Sequence, residues 1–212
     1  MSLAFVLWIE ASLGVLQVSF ADDIDSAIRS AASRGVAMVT KAASNWQKNK
    51  SCFSCHHQTL PMLAMVEACK TNEQIAPDQE WLRSQAETTQ SYFDERVDDM
   101  MNGRHVPGGA ATVGFGFWAL SLHDRVANET TSAMVEYLLQ IQGFARIDST
   151  SNTTAIRDGR WVASCRRAPM QASAIGDTAL VMIGMKRFAS EEQADRVTCL
   201  SMKRKSTCLK QS

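Results

Sequence analysis

The chain lacks a charge of either sign to spare: its 212 residues carry 22 Lys plus Arg against 22 Asp plus Glu. A balanced chain supplies no overall field to draw nucleic acid or an anionic membrane surface, so neither is expected as a partner. Prolines number four and aromatic residues make up 7% of the chain. Beyond residue 21 there is no uncharged apolar run of about 18 residues, so no membrane span is expected in the mature chain. Six cysteines are too few for a disulfide scaffold at this length, and their spacing therefore carries more information than their number. No alternating apolar and polar run demands a strand.

What is present is helical periodicity. Residues 1–21 (MSLAFVLWIEASLGVLQVSFA) form an apolar run that ends in Ser19-Phe20-Ala21 before Asp22-Asp23. That layout predicts a secretory signal peptide or N-terminal anchor, and hence an exported, periplasmic or cell-envelope protein; Glu10 within the run and the lack of a Lys or Arg before it point to the alternative, an N-terminal core helix. Helices are predicted over 23–45, opened by the acids Asp22, Asp23 and Asp25, then over 57–70, 77–101, 110–123, 129–142 and 172–189. Pro61 is tolerated in the first turn of the second, and Pro107-Gly108-Gly109 marks a break. Residues 143–170 read as a polar connection. The segments 112–120 and 176–184 echo each other in placing small residues on one helix face, a pattern of close helix packing. Short breaks between single-stripe helices predict an all-α fold of stacked helix pairs. Residues 22–190 are expected to form one helical domain, with 191–212 a frayed or truncated tail whose Lys203, Arg204 and Lys205 are solvated.

The one dense cluster of reactive side chains is Ser51-Cys52-Phe53-Ser54-Cys55-His56-His57-Gln58. Cys52, Cys55 and His56 form Cys-x-x-Cys-His, the attachment pattern for c-type haem. Two thiols one helical turn apart reach the two vinyl groups on a porphyrin edge, and the next imidazole meets the iron, so His56 is the expected proximal ligand. Candidates for the opposite ligand are His57, His105, Met62 and Met65. The same residues admit other readings. Zinc could take Cys52, Cys55 and His56 or His57 with a distant fourth ligand. Cys52 and Cys55 could be a redox dithiol, or a structural disulfide or packed thiols. His105 and His123 otherwise read as ordinary surface or packed histidines.

Around this cluster the sequence resembles a group of exported bacterial proteins with terpenoid-cyclase and prenyltransferase-like (squalene-hopene-cyclase-like) repeats. The residues that carry the resemblance are Cys52-Phe53-Ser54-Cys55-His56-His57-Gln58 with Leu60-Pro61, then Thr112-Val113-Gly114, then residues 134–139 with Gln142, Asp158-Gly159-Arg160-Trp161, and residues 166–170. The resemblance covers roughly residues 24–190. It implies a partial α/α toroid or helical solenoid, in which Gln and Trp of each repeat staple adjacent helices. Such stacking leaves an open edge when repeats are few, and homo-oligomerisation through that edge is an expectation.

Cyclase chemistry is not expected. The Asp-x-Asp-Asp acid of such cyclases is missing: Asp22-Asp23-Ile24-Asp25 has the wrong order, and Val97-Asp98-Asp99 lacks the first Asp. No set of residues maps onto a prenyltransferase zinc site, and no nucleophile elbow supports a Ser-His-Asp triad. The expected function is an exported protein carrying haem c at Cys52, Cys55 and His56, passing electrons to a redox partner protein or sensing redox state. The alternative is a haem-free repeat module that binds a protein or an apolar ligand.

Overall fold

The computed structural model describes residues 3–50, 52–73, 75–104, 106–142, 161 and 174–197, with side chains from residue 22 onward. His105, Cys165, Cys199, Cys208, the motif residues 158–160 and 166–170, and the tail cations lie outside the described residues, as do the side chains of the apolar run 1–21.

The described residues are all-α. The elements in order are α1 (Leu3–Asn49), a π-helical turn (Cys55–Thr59), α2 (Leu60–Thr71), α3 (Gln79–Asp94), α4 (Val97–Met101), α5 (Gly109–Leu122), α6 (Glu129–Ile141) and α7 (Ala174–Phe188). A last helical stretch over 191–197 is α8. None of the described helices is long and apolar enough to cross a membrane.

α1 departs from expectation. It runs without a break for 47 residues, about 70 Å at 1.5 Å per residue. Asp22, Asp23 and Asp25 therefore lie inside a helix and do not open one. No proline or cap stops the helix ahead of them, and Asp25 instead accepts a hydrogen bond from Arg29 Nε at 2.7 Å. Among the described side chains, the body grips the second half of α1. Asn72 donates to Arg29 O at 3.0 Å, Trp81 Nε1 to Ser44 Oγ at 3.1 Å, and Gln85 Nε2 to Gln47 Oε1 at 2.8 Å.

The helix expected over 77–101 is two. Asp78, not Pro77, caps α3 by accepting from Trp81 N at 2.9 Å. The chain then turns at Glu95-Arg96, where Arg96 folds back: its guanidinium donates to Tyr92 O at 2.5 Å and lies 3.8 Å over the Tyr92 ring. One of the last carbonyls of α3 is thereby satisfied by a side chain, so no glycine or proline is needed to stop the helix. α6 is opened by a reciprocal pair, with Thr131 N donating to Asn128 Oδ1 at 2.9 Å and Asn128 N to Thr131 Oγ1 at 2.8 Å.

α5 is the centre of the molecule. Ten of its residues are buried, on all sides of the helix, as expected of one surrounded by others. It begins at Gly108-Gly109, whose φ values of 83° and 60° only glycine adopts cheaply. α5 packs on α7, α3, α2 and the π turn. The small residues of the two echoing segments are what bring α5 and α7 together. Gly184 lies under the Phe117 ring, and Gly114 under Leu180 and Val181. Phe117 in turn stacks on Phe188 with ring centres 5.3 Å apart.

Trp161, 1% exposed, closes the far end of α6: its Nε1 donates to Leu138 O at 2.8 Å, and its backbone N to Thr178 Oγ1 of α7 at 3.1 Å. The packed body continues beyond residue 190, where fraying was expected. Gln193 of α8 donates to Ser132 O at 2.9 Å, Val197 is buried, and Arg196 pairs with Glu136 at 2.7 Å.

Candidate functional site

The Cys-x-x-Cys-His segment lies between the end of α1 and the start of α2, and each of its residues is placed by a neighbour. Trp46, in the last turn of α1, donates from its indole to Cys52 O at 3.3 Å. Phe53 is the buried anchor, with ring centres 6.0 Å from Tyr92 and 5.7 Å from Phe93 of α3. Ser54 is extended and donates its N–H to Gln58 Oε1 at 2.7 Å. Gln58 and Thr59 are fully buried, and the Thr59 hydroxyl donates to Phe115 O of α5 at 3.1 Å. Gln58 Nε2 is buried with no hydrogen-bond partner among the described residues.

The turn from Cys55 to Thr59 is wider than an α-helix, with Leu60 N donating to Cys55 O five residues back. Pro61 supplies a reason: with no N–H it leaves the His57 carbonyl without its usual donor, and the register loosens at that point. The spacing 57–70 therefore resolves into a π turn followed by α2, with Pro61 in the first turn of α2 as expected.

Cys52 is exposed and Cys55 half-buried, and no disulfide joins them. His56 is half-buried; its Nδ1 meets Cys55 Sγ at 3.0 Å, and its Nε2 has no partner among the described residues. His57 is held on two sides. Its Nδ1 lies 3.1 Å from Ser54 Oγ, and its ring lies 4.2 Å from the Trp46 indole with the planes 10° apart. The His56 and His57 rings are tilted, with centres 6.1 Å apart. No three His, Cys, Asp or Glu side chains gather closely enough to hold a metal ion among the described residues.

The donor set suits c-type haem in kind. Cys52 and Cys55 are not bridged to each other, Cys55 lies against an imidazole whose Nε2 is uncommitted, and thioether formation requires both thiols reduced; residues 52–54 are not helical, so the helical turn expected between the thiols is not formed. One contact must be exchanged. The contact between His56 Nδ1 and Cys55 Sγ would have to give way for the two residues to hold one haem, the imidazole through its iron and the sulfur through a thioether. Among the candidates for the opposite ligand, Met62 is fully buried and Met65 is buried, its sulfur accepting from Cys69 Sγ at 3.8 Å. Both serve the core here. His105 lies outside the described residues. His123, at the end of α5, is remote in sequence and half-buried, with Nδ1 unpaired.

Trp46 is a site residue that the motif does not announce. It precedes Cys52 by six residues on another element, a spacing with no pattern attached to it. Compared with protein-family models, with curated proteins and with solved structures, the chain matches none.

Proposed function

We propose that this chain is an exported all-α protein that carries haem c covalently on Cys52 and Cys55, with His56 as an axial iron ligand. The observation that carries the reading is the Cys-x-x-Cys-His segment itself, with its thiols unbridged and His56 Nε2 uncommitted. Attachment is an addition: each S–H adds across one vinyl group, the sulfur bonding to one carbon and the hydrogen passing to the other, with no net oxidant consumed. When bound, haem supplies a one-electron iron couple, suited to electron transfer or redox sensing with a partner protein. Cys52 and Cys55 would hold it covalently and His56 would ligate its iron, while His57 is engaged instead by Trp46 and Ser54.

The partial toroid or solenoid implied by the resemblance belongs to this proposal, with the pairs α1–α2 and α5–α7 as its stacked units. A second reading rests on the burial of Gln58 and Thr59 and their bonds to Ser54 and Phe115. On that reading the segment is a packing staple of a haem-free repeat module, and Cys52 and Cys55 are structural.

Export with haem maturation separates the two. The first reading expects a Soret band and the mass of one haem on the peptide that holds Cys52 and Cys55, with covalent attachment weakened to a single bond in Cys55→Ser. Purified protein with neither the band nor the added mass overturns it in favour of the second.

A further inference from the structure

The helix α4 is followed by Asn102-Gly103, the one Asn-Gly pair in the chain. Asparagine before glycine is the pair most open to deamidation, because a neighbour without a side chain leaves its backbone nitrogen free to attack the asparagine amide. Asn102 is exposed to water. Yet the turn holds each participant away from reaction. Asn102 has ψ 13°, whereas ring closure needs the Gly103 nitrogen rotated to the side-chain side of the Asn102 Cα–C bond. Gly103 N donates to Met100 O at 3.0 Å, and Asn102 Nδ2 donates to Asp98 O at 2.6 Å. Gln140 of α6 lies across the turn. Its Nε2 donates to Met101 O at 3.0 Å, and a Cβ at Gly103, where φ is 61°, would fall 2.5 Å from its Oε1.

We infer that Asn102 is a site of spontaneous deamidation, gated by the Gln140 contact. When the turn opens, Gly103 N bonds to Asn102 Cγ, the Cγ–Nδ2 bond breaks, and ammonia leaves with the Gly103 amide proton. Water then opens the cyclic imide at either carbonyl and leaves an aspartate or an isoaspartate in place of the asparagine. One water is consumed and one ammonia released, with nothing oxidised or reduced. The product also resists reclosure of the turn. Its carboxylate has no proton to give to Asp98 O, and it adds a negative charge beside Asp98 and Asp99 at the last carbonyls of α4, where the helix end disfavours one. Arg104 is already paired with Asp99 at 2.5 Å. Isoaspartate lengthens the main chain by a carbon, so the bonds from Gly103 N to Met100 O and from Arg104 N to Asp99 O lose their register. Since α4 packs on α6, the contact loosened is that between these two helices. The inference is independent of haem, since none of these residues belongs to the Cys-x-x-Cys-His segment.

Ageing the full chain in mildly alkaline buffer, with peptide mass analysis at intervals, tests it. The peptide that holds Asn102 should gain the mass of an amide-to-acid exchange, and isoaspartate, ahead of the peptides that hold the other asparagines. The same chain unfolded in urea should react at Asn102 at least roughly tenfold faster, because the closed turn keeps the reactive state rare. Gln140→Ala should quicken the folded chain about threefold or more, the effect of one lost hydrogen bond, and leave the unfolded rate unchanged. Gln140 is only half-buried, and unchanged circular dichroism checks that the fold survives. Asn102→Asp, made directly, should speed hydrogen exchange at the Gly103 and Arg104 amides. An Asn102 that converts no faster than the other asparagines overturns the inference. A folded chain that reacts as fast as the unfolded one, or that is indifferent to Gln140→Ala, overturns the gate.

Discussion

The imidazole of His57 lies flat on the indole of Trp46, with ring centres 4.2 Å apart and planes 10° from parallel. The same indole donates to Cys52 O, and Ser54 Oγ takes the His57 Nδ1 edge. One aromatic side chain at the end of α1 thus fixes both ends of the Cys-x-x-Cys-His-His segment. It also divides the labour of the two histidines, leaving His56 as the one whose outer nitrogen is open.

That division can be measured. His57→Ala removes the stack and the Ser54 contact and should cost about 1 kcal/mol in urea denaturation, since aromatic pairs contribute about 0.5–1.5 kcal/mol beyond their buried area. Trp46→Ala also removes the hydrogen bond to Cys52 O and should cost about 1–3 kcal/mol. In haem-loaded protein, His57→Ala should leave the absorption bands in place, whereas His56→Ala should shift them. A spectrum that responds to His57 and not to His56 reverses the assignment.

Trp161 ties α6 to α7 through its indole bond to Leu138 O and its backbone bond to Thr178. Leu138 O is one of the four carbonyls that a helix ending at Ile141 leaves without an internal donor. Trp161→Phe keeps most of the buried ring and deletes the donor, for an expected loss of about 1–3 kcal/mol. Trp161→Ala adds a cavity and should cost about 3–5 kcal/mol. If the two variants unfold at the same denaturant concentration, the hydrogen bond contributes all of the effect and the packing none.

Much of this was legible in the chain, and the misses have physical causes. Apolar spacing and Pro107-Gly108-Gly109 as a break locate α5 and α6 to within a residue or two, and the small-residue echo anticipates the α5–α7 contact. The continuation of α1 back to Leu3 was left open because an apolar leader and an apolar helix share one composition. The turn at Glu95-Arg96 was hidden because Arg96 satisfies the Tyr92 carbonyl from its own side chain, a device with no sequence marker. At the site, Cys52, Cys55 and His56 follow from spacing alone. Trp46 does not, since its role comes from where α1 happens to end.

The glycines of the α5 contacts differ in how hard their neighbours are. A Cβ at Gly184 would sit 2.6 Å from Phe117 Cβ and 2.7 Å from its Cγ, and one at Gly116 would sit 2.6 Å from Phe93 Cζ. Both phenylalanines are fully buried and cannot swing aside. Gly184→Ala and Gly116→Ala should therefore each lose about 1–3 kcal/mol by overpacking, despite a helix-propensity gain of about 1 kcal/mol. At Gly114 the nearest atom is Leu180 Cγ at 3.0 Å, on a half-buried side chain that can shift. Gly114→Ala should be close to neutral. Thermal unfolding of the three variants side by side checks the order.

Acid should loosen α8 before the rest of the body. The Glu136 carboxyl is held below its ordinary value of 4.5, first by the hydrogen bonds from Arg196, with burial opposing and Gln140 and Gln193 assisting. A carboxyl with a lowered folded pKa contributes stability that is fully present above 4.5 and lost as the pH falls through the folded value. The Arg196 side chain is 52% exposed, so screening limits the contribution of the pair to about 0.2–1 kcal/mol at neutral pH. Arg196→Ala should therefore lower stability by that amount at neutral pH, by less in high salt, and not at all once Glu136 is protonated. Urea denaturation of the two proteins across an acid series reads the difference directly: curves that converge below pH 4.5 support the pair as an anchor of α8, and a constant offset means that Arg196 acts through its packing instead.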